Sequence, residues 1–274
     1  MQNPHYTEAE VAAALGGPVT RLGSGAFGET WRRDDTAVKI IFDGSYPPDR
    51  LQREVDGLGR VSSPHVVRLV GTRAVTLRGE QRPALVFEYI PGGDVAGRVF
   101  VGQLPSVDEA VEFLRGLLTG IGHMHEQQTV HRDIKPANIA LRGGDWSRPV
   151  LLDLGLARGA GEATITAYPA LVGTPAYMAP EQLQCLPARQ ASDLFAAGVT
   201  VRELLGGRPP FYDPGPVLPP DDMVARIKQG PYLLPAGVPG YVTELLDRLT
   251  AARTSDRGSA RSSLKRLGAQ ELAA

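Results

Sequence analysis

A polar stretch of eight residues, His131–Asn138, constrains the fold of this chain more than any other segment. It holds Asp133, Lys135 and Asn138, and short apolar runs flank it on both sides. The apolar runs can be buried as strands, whereas the charged groups between them must reach water or one another. We therefore predict a rigid loop at a cleft, in which a carboxylate, an ammonium group and a carboxamide lie close together.

Composition limits the class of protein. A chain of 274 residues, 42% hydrophobic and 22% charged, can bury one large core or two smaller ones. A net charge of −1 gives no reason to expect nucleic-acid or membrane-surface binding. No apolar run reaches the roughly 18 residues of a membrane span, and the N-terminus lacks the pattern of a signal peptide. The single cysteine, Cys185, excludes an intramolecular disulfide and fits a reducing compartment. We expect a cytoplasmic protein, or the cytoplasmic part of a longer one, without membrane contact of its own.

The segment 23–28 is rich in glycine, with Gly23, Gly25 and Gly28 in a G-x-G-x-x-G pattern. A dinucleotide-binding loop with these glycines leads into a helix. Here residues 29–33 have the pattern of a strand instead, which predicts a strand, a glycine turn and a second strand. The alternative is a plain glycine-rich hairpin without a ligand.

Lys39 lies inside the apolar segment 37–42, which predicts a strand. A lysine in such a strand is costly unless its ammonium group meets anions, although a lysine at a strand edge can also reach water. The next apolar periodicity predicts a helix over 49–61, with Glu54 beside its buried stripe. Glu54 is our candidate partner for Lys39, and a solvated surface glutamate is the alternative.

Strands are predicted over 66–70 and 84–89, joined by a charged loop at 78–82, and Pro91-Gly92-Gly93 ends this pattern. We place a boundary between two lobes at 88–93. A short N-terminal helix is predicted over 7–15, and a capping box of Ser106 and Glu109 starts a helix that runs to about residue 127. His123 and His125, near the end of that helix, are interpreted as polar helix-end residues.

A candidate metal-binding carboxylate follows a short apolar strand. Asp153 ends that strand and is followed by Leu154-Gly155, which projects the carboxylate into a cleft where it can hold Mg²⁺. Residues 156–172 predict a mobile loop. The buried helix predicted over 192–205 begins near Asp193, which can accept backbone N–H groups of the polar stretch or cap its own helix. The remaining expectations are a surface excursion at 209–220 and amphipathic helices over 238–249 and 259–267.

The sequence resembles a protein kinase over residues 19–267. The motifs that carry the resemblance occur in this order: the glycine-rich segment, Ala-Val-Lys, the helix glutamate, His-Arg-Asp, Asp-Leu-Gly and Ala-Pro-Glu. Lys135 and Gly173-Thr174 resemble the serine/threonine branch, and the compact loops resemble its bacterial Hanks-type members. The resemblance implies an α+β, bilobal kinase fold, with a small antiparallel β-sheet N-lobe carrying one main helix and a larger, mostly helical C-lobe. The implied parts are an N-terminal extension at 1–18, the N-lobe at 19–87, the hinge at 88–93, the C-lobe at 94–267 and a tail at 268–274.

The resemblance also implies roles for individual residues. Asp133 acts as the base, Lys135 contacts the γ-phosphate of ATP, and Thr174 lies beside both. Asn138 and Asp153 hold Mg²⁺, with Mn²⁺ as the alternative ion. Lys39 and Glu54 form an ion pair, and Arg257 pairs with Glu181 in the core. The implied nucleotide-binding residues are Gly23, Ser24, Gly25, Gly28, Thr30, Ala37, Lys39, Phe87, Glu88, Ile90, Asp94 and Ala140.

The activity implied is transfer of the γ-phosphoryl group of ATP to serine or threonine hydroxyls of proteins. Autophosphorylation at Thr164 or Thr166, within a homodimer, is the implied regulation, and two unmodified threonines are the alternative. One rival is a pseudokinase that serves as an interaction module, but it should lack the base, the metal ligands or the lysine, and all are present. A small-molecule phosphotransferase is the other rival, and the peptide-docking segment 173–181 disfavours it.

Overall fold

The structure is a computed structural model that describes residues 6–25, 28–42, 48–153, 175–211 and 218–271. It divides the chain into two compact units, each with its own core. The first unit comprises Met1–Arg60 and Val67–Tyr89, and the second comprises Val61–Val66 and Ile90–Ala274. The division at residues 89 and 90 falls inside the segment 88–93.

The first unit is built on a five-stranded antiparallel sheet with the order β1-β2-β3-β5-β4, so that β3 is central. Two helices complete it, and β2 and β3 pair in register with Thr30 opposite Lys39. The elements are α1 Glu8–Leu15, β1 Thr20–Gly25, β2 Gly28–Arg33, β3 Thr36–Ile41, α2 Pro48–Arg60, β4 Leu69–Leu77 and β5 Glu80–Glu88.

Helix α1 covers one face of this sheet. Thr7 and Glu10 form a capping box at its start, with the Glu10 carboxylate 2.7 Å from the Thr7 backbone nitrogen. The apolar side of the helix is buried against β2, β3 and β4, so the predicted N-terminal helix is part of the core of the first unit. The buried cluster comprises Tyr6, Val11, Leu15, Val19, Trp31, Val38, Ile40, Val75, Leu77 and Ala84.

The second unit is mostly helical, with one two-stranded antiparallel sheet in which Ile139 pairs with Leu151. Together with the sheet of the first unit, this confirms the predicted α+β class. The helices and strands of the second unit are α3 Val95–Phe100, α4 Val107–Glu126, β6 Ile139–Leu141, β7 Pro149–Leu151, α5 Pro180–Leu183, α6 Gln190–Gly206, α7 Pro220–Lys228, α8 Gly240–Leu249 and α9 Ala260–Glu271.

Helix α6 is the centre of the second unit. Residues 192–204 are all buried, and α4 and α8 pack against the helix. This confirms the buried helix that the sequence predicts over 192–205. Helix α4 begins with the predicted capping box, in which the Glu109 carboxylate lies 2.8 Å from the Ser106 backbone nitrogen.

The predicted bounds of two strands were wrong. Strand β4 begins at Leu69 rather than at residue 66, because Val66 forms a parallel bridge with Leu151 of the second unit. Strand β5 begins at Glu80, and only Arg78 and Gly79 form the turn before it. Helices α3 and α7 were not predicted. Helix α3 has six residues, too few for the apolar periodicity of a helix to stand out in the sequence.

His65 ties the start of the second unit to its small sheet. One ring nitrogen, Nδ1, lies 2.8 Å from the Pro149 carbonyl oxygen, and the Leu151 N–H donates to the His65 carbonyl at 2.9 Å. Burial lowers the pKa of His65 below its ordinary value of 6.5, and the positive charges of Arg142 and Arg148 act in the same direction. The fold therefore favours the neutral ring.

We predict that the second unit loses stability as the pH falls from 7.5 to 5.5. The unfolded chain binds a proton at His65 more readily than the folded chain, so the stabilisation is full above pH 6.5 and is lost below it. Urea midpoints measured at both pH values should differ less for His65→Asn, which keeps a donor but cannot titrate. Equal pH dependence in both proteins would contradict this assignment.

Among the described residues, no helix combines the length and the apolar character needed to cross a bilayer.

Candidate active site

Asp193 of helix α6 binds the backbone of the polar stretch His131–Asn138. The Asp193 carboxylate accepts the His131 N–H at 2.9 Å and the Arg132 N–H at 2.8 Å. It is 1% exposed, so these bonds compensate for the desolvation of its charge. Two roles were predicted for Asp193, and the structure shows the first: its carboxylate accepts backbone N–H groups of the polar stretch.

A third contact on Asp193 comes from His125, whose Nε2 lies 2.9 Å from Oδ2. His125 is buried near the end of α4. His125 is therefore a polar residue at the end of α4, as the sequence predicts, and its ring is bound to Asp193. Its partner is 68 residues away in the sequence, so no local pattern could have revealed the contact.

His131 holds the loop in shape. Its ring is fully buried, and its Nδ1 accepts the Asp133 N–H at 3.4 Å. The other nitrogen, Nε2, therefore carries the proton and donates to the Leu152 carbonyl at 2.9 Å. With both nitrogens used in this way, His131 is a packing residue and not a base.

Asp133, Lys135 and Asn138 come together as the sequence predicts. The Lys135 ammonium group lies 2.7 Å and 3.0 Å from the two Asp133 carboxylate oxygens. The Asn138 side-chain nitrogen donates to Asp133 Oδ2 and to the Asp133 carbonyl, both at 2.8 Å. Asp133 is 25% exposed and Lys135 is 20% exposed, so the pair can be reached by a substrate while its geometry stays fixed.

Asn138 and Asp153 are placed by neighbouring strands. Asn138 directly precedes β6, and its carbonyl accepts the Leu152 N–H at 2.8 Å, one residue before Asp153. Because the Asn138 amide nitrogen is bound to Asp133, its Oδ1 is the atom left to serve as an oxygen ligand. Within the described ranges, no three His, Cys, Asp or Glu residues form a metal-binding group. A metal ion here would take two protein oxygens and complete its shell from phosphate and water.

Two residues at this site have a backbone conformation that is costly for side chains other than glycine. Arg132 has φ 75° and Asp153 has φ 55°. Such left-handed positions persist where the surrounding structure fixes them, and they are concentrated at functional sites. The bond that the Arg132 N–H donates to Asp193 and the strand pairing before Asp153 supply that constraint here.

Four of the predicted nucleotide-binding residues of the first unit share one face of its sheet. Lys39 pairs with Thr30 on one side and with Leu85 on the other, and Ala37 pairs with Phe87 two positions away. Residues opposite one another in an antiparallel sheet lie on the same face. Thr30, Ala37, Lys39 and Phe87 therefore face away from α1, and Lys39 lies at the middle of the sheet.

The glycines of the β1–β2 hairpin differ in what requires them. A Cβ at Gly28 would lie 2.3 Å from the Ile40 carbonyl oxygen, so the packing of β3 excludes any side chain there. At Gly23 and Gly25, a Cβ would meet no atom within 4 Å among the described residues, and neither φ is positive. Their lack of side chains therefore has no steric cause in the described part of the chain, which fits close approach of a ligand.

The predicted hinge residues fall on both units. In the first unit, the Glu88 carboxylate accepts the Arg68 N–H at 3.1 Å. In the second unit, Asp94 bridges to Ala140 and caps helix α3 through a 2.7 Å bond from the Gly97 N–H. Ile90 is buried in the same unit. The side chain of Glu54, and residues 154–174 with Thr164, Thr166 and Thr174, lie outside the described part of the chain.

Arg257 and Glu181 form the predicted pair in the core of the second unit. The Arg257 guanidinium lies 2.7 Å and 3.0 Å from the two Glu181 oxygens and donates to the carbonyls of Ala191, Ala251 and Ala252. Burial alone raises the pKa of Glu181, but the bonds and charge of Arg257 outweigh it and hold that pKa below its ordinary value.

A second buried pair, which the sequence did not suggest, joins Tyr177 to Glu203 of α6. The Tyr177 hydroxyl donates to a Glu203 carboxylate oxygen. Burial raises the pKa of Glu203, and the bond from Tyr177 offsets part of that rise. Burial also raises the pKa of Tyr177. The pair connects the segment at 175–177 to the central helix.

Tyr177→Phe should lower the free energy of unfolding by about 1–3 kcal/mol, because it leaves the Glu203 carboxylate without this donor. The deficit should shrink at lower pH. A raised pKa means that protonation favours the folded state, and without Tyr177 that pKa rises further. Urea titrations at pH 8 and pH 5 test both statements.

The matched control is Tyr241→Phe, since the Tyr241 hydroxyl has no hydrogen-bond partner among the described residues. A loss for Tyr177→Phe equal to that of the control would contradict the role of the pair.

Comparison with known proteins places this site in a family. The family model for the protein kinase domain matches residues 18–266. The probable serine/threonine-protein kinase pknA2 of Bifidobacterium longum is 31% identical over 231 residues, which cover 81% of this chain and 29% of that protein. The serine/threonine-protein kinase SRK2C of Arabidopsis thaliana is 31% identical, with 87% of this chain and 71% of that protein covered.

A third relative is the probable serine/threonine-protein kinase PknB of Corynebacterium glutamicum, 30% identical, with 75% of this chain and 35% of that protein covered. The chain thus spans about a third of the length of the two bacterial relatives. Since the family match extends over nearly the whole sequence, the chain belongs to the protein kinase family, as a catalytic domain of the bacterial Hanks type.

Proposed function

We propose that this chain transfers the γ-phosphoryl group of ATP to serine and threonine hydroxyls of proteins. The observation that carries the proposal is the carboxylate of Asp133, which Lys135 and Asn138 hold on a loop anchored by Asp193. A fixed carboxylate beside a fixed ammonium group suits a reaction that depends on positioning and charge neutralisation. The serine and threonine preference rests on the relatives, which are named as kinases of these residues.

Each residue of the loop has a distinct part in this proposal. Asp133 orients the substrate hydroxyl and accepts its proton, since an ionised carboxylate is an acceptor only. Lys135 contacts the γ-phosphate of ATP from its place beside Asp133, where its ammonium group lies 2.7 Å from a carboxylate oxygen. Thr174 is proposed to lie beside both.

We propose Mg²⁺ as the ion, with Mn²⁺ as the alternative, bound by Asn138 and Asp153. The donor set fits, because Asn138 Oδ1 and a carboxylate are hard oxygen ligands and the amide nitrogen of Asn138 is already bound elsewhere. The ion, when bound, neutralises phosphate charge. The role of the protein is to hold the two ligands beside adjacent strands and to keep Asp153 in its left-handed conformation.

ATP itself is proposed to bind along the face of the first sheet that bears Thr30, Ala37, Lys39 and Phe87. Lys39 contacts the α- and β-phosphates and pairs with Glu54, while Gly23, Ser24, Gly25 and Gly28 cover the phosphates. The remaining contacts, to the adenine and the ribose, are assigned to Thr30, Ala37, Phe87, Glu88, Ile90, Asp94 and Ala140.

Regulation is proposed to act through Thr164 or Thr166, phosphorylated by a second copy of the chain in a transient homodimer. A phosphate there can pair with Arg132 beside the base. Dependence on ATP and the single thiol of Cys185 support a cytoplasmic location for this catalytic domain.

The test is incubation of the purified chain with ATP labelled in the γ position, Mg²⁺ and a mixture of dephosphorylated proteins. Acid hydrolysis of the labelled proteins should release phosphoserine and phosphothreonine, and removal of divalent ions with EDTA should stop labelling. A chain that binds ATP analogues but labels no protein would support the pseudokinase rival. Label found only in small molecules would support the other rival.

A further inference from the structure

Strand β2, the second strand of the glycine-rich hairpin, carries the N-terminal segment on one face. Side chains alternate along a strand, so Glu29, Trp31 and Arg33 lie on the same face. Trp31 is 1% exposed and is buried in the same cluster as helix α1. Arg33 donates to the Leu15 carbonyl, and also to the Gly16 carbonyl at 3.3 Å. The last carbonyls of α1 are thereby capped by β2.

The same strand also holds the beginning of the N-terminal segment. Tyr6 is 2% exposed, and its backbone N–H donates to Glu29 Oε2 at 3.4 Å. Tyr6 directly precedes Thr7, the cap of α1. Residues 6–16 are therefore bound to β2 at both ends, and they precede the part of the chain that matches the kinase family.

Glu29 connects this segment to both strands of the hairpin. Its Oε1 accepts from Arg21 Nη2 at 3.3 Å, and the same nitrogen lies 3.0 Å from Ser24 Oγ. Arg21 and Ser24 lie on β1, and Ser24 is the register partner of Glu29. The hydrogen bonds therefore run from the Tyr6 N–H through Glu29 and Arg21 to Ser24, between Gly23 and Gly25.

The burial of Glu29 makes this connection sensitive to change. Its side chain is 1% exposed, whereas that of Arg21 is 31% exposed. A buried carboxylate is costly unless its donors are in place, so the docked segment and the hairpin geometry favour one another. The face of β2 that bears Glu29 lies opposite the face that bears Thr30, so Glu29 does not contact a nucleotide on that face.

We propose that Glu29 is a positioning residue, through which the docked segment 6–16 sets the position of the glycine-rich hairpin over the phosphates of ATP. The inference rests on the proposed function, since it requires that the hairpin covers phosphates. Loss of the connection lets Ser24 and its neighbouring glycines move relative to β2. Binding of the phosphates is weakened, whereas binding of the adenine and the ribose is not.

The test is calorimetric titration of the full chain with two ligands, adenosine and the non-hydrolysable analogue AMP-PNP plus Mg²⁺. It shows whether a variant weakens binding of the phosphates and leaves binding of the adenine and the ribose unchanged. Glu29→Gln keeps the shape of the side chain and removes its charge. It should raise the Kd of AMP-PNP by about tenfold, the effect of losing roughly one charge-assisted bond, and change the Kd of adenosine by less than about twofold. Arg21→Gln, at a more exposed position, should give the same result. It replaces Glu29→Gln in the test if that variant does not fold.

Glu10→Gln is the matched control. Glu10 binds Arg78, in the turn between β4 and β5, at 2.7 Å, and a glutamine at position 10 can still form the capping box with Thr7. This variant should change neither affinity. An unchanged Kd of AMP-PNP in the Glu29 and Arg21 variants, equal weakening of both ligands, or the same effect in the control would overturn the inference. None of these measurements needs phosphoryl transfer, so an inactive wild type would refute the proposed function separately.

Discussion

Asp133→Asn will lower kcat for phosphoryl transfer by about 10³-fold, in the range for loss of a general base. The variant keeps an oxygen that can accept the bonds from Lys135 and Asn138, so the loop and the fold should be retained. What is lost is the acceptor for the proton of the substrate hydroxyl. Initial rates at saturating ATP and Mg²⁺, together with a thermal melt of each protein, measure both effects.

The control for this experiment is Asp108→Asn, the same change at an exposed position in the first turn of α4. Its kcat should equal that of the wild type. If Asp133→Asn retained a kcat within about tenfold of the wild type, a general-base role for Asp133 would be wrong.

Arg257→Met will have the largest effect on stability, lowering the free energy of unfolding by about 3–5 kcal/mol. Arg257 is fully buried, so its removal leaves the Glu181 carboxylate without its opposite charge and takes one donor from each of three carbonyls. Its guanidinium also stacks 4.9 Å from the centre of the Phe195 ring. Urea denaturation of the isolated variant gives the value.

Two companion variants separate the buried pair from a general effect of losing arginine. Arg261→Met removes an exposed arginine of α9 and should stay within about 0.5 kcal/mol of the wild type. Adding Glu181→Leu to Arg257→Met removes the unpaired charge and should recover part of the loss. If Arg257→Met alone lowered the free energy of unfolding by less than about 1 kcal/mol, the pair would not be needed for the fold.

The pH dependence of the same pair has a definite sign. Because Arg257 holds the pKa of Glu181 below its ordinary value of 4.5, the stabilisation is complete above that pH. It is lost as the pH falls through the lowered pKa, when the carboxylate is protonated in the folded state as well. Arg257→Met should remove this contribution to acid sensitivity.

Local patterns in the sequence were sufficient for the catalytic loop and for the main helices. Asp133, Lys135 and Asn138 lie within six positions of one another, so their spacing brings them together once β6 and the bonds to Asp193 fix the loop. The strand expected before the loop was wrong, since residues 129–134 form neither a helix nor a strand. The periodicity of α4 and the nearly all-apolar sequence of α6 predict burial directly. The Arg257–Glu181 pair was predicted through the family resemblance and not from spacing, because 76 residues separate its members.

The contacts missed from the sequence are those between polar residues far apart in the chain. His125 and Asp193 are separated by 68 positions, Tyr177 and Glu203 by 26, and Tyr6 and Glu29 by 23. Periodicity predicts which apolar face is buried, but it does not say which polar groups are buried together. Strand β4 was misplaced for a related reason, since Val66 is as apolar as a strand residue and pairs elsewhere.

The most direct test of the account uses ATP labelled at two different positions. The wild-type chain is incubated with Mg²⁺, a mixed protein substrate and ATP labelled on either the γ- or the α-phosphate, in parallel reactions. We expect label to enter serine and threonine residues of the substrate only from the γ position, because the loop of Asp133 and Lys135 acts on the terminal phosphoryl group. Absence of protein-bound label from γ-labelled ATP, or incorporation from the α position, would contradict it.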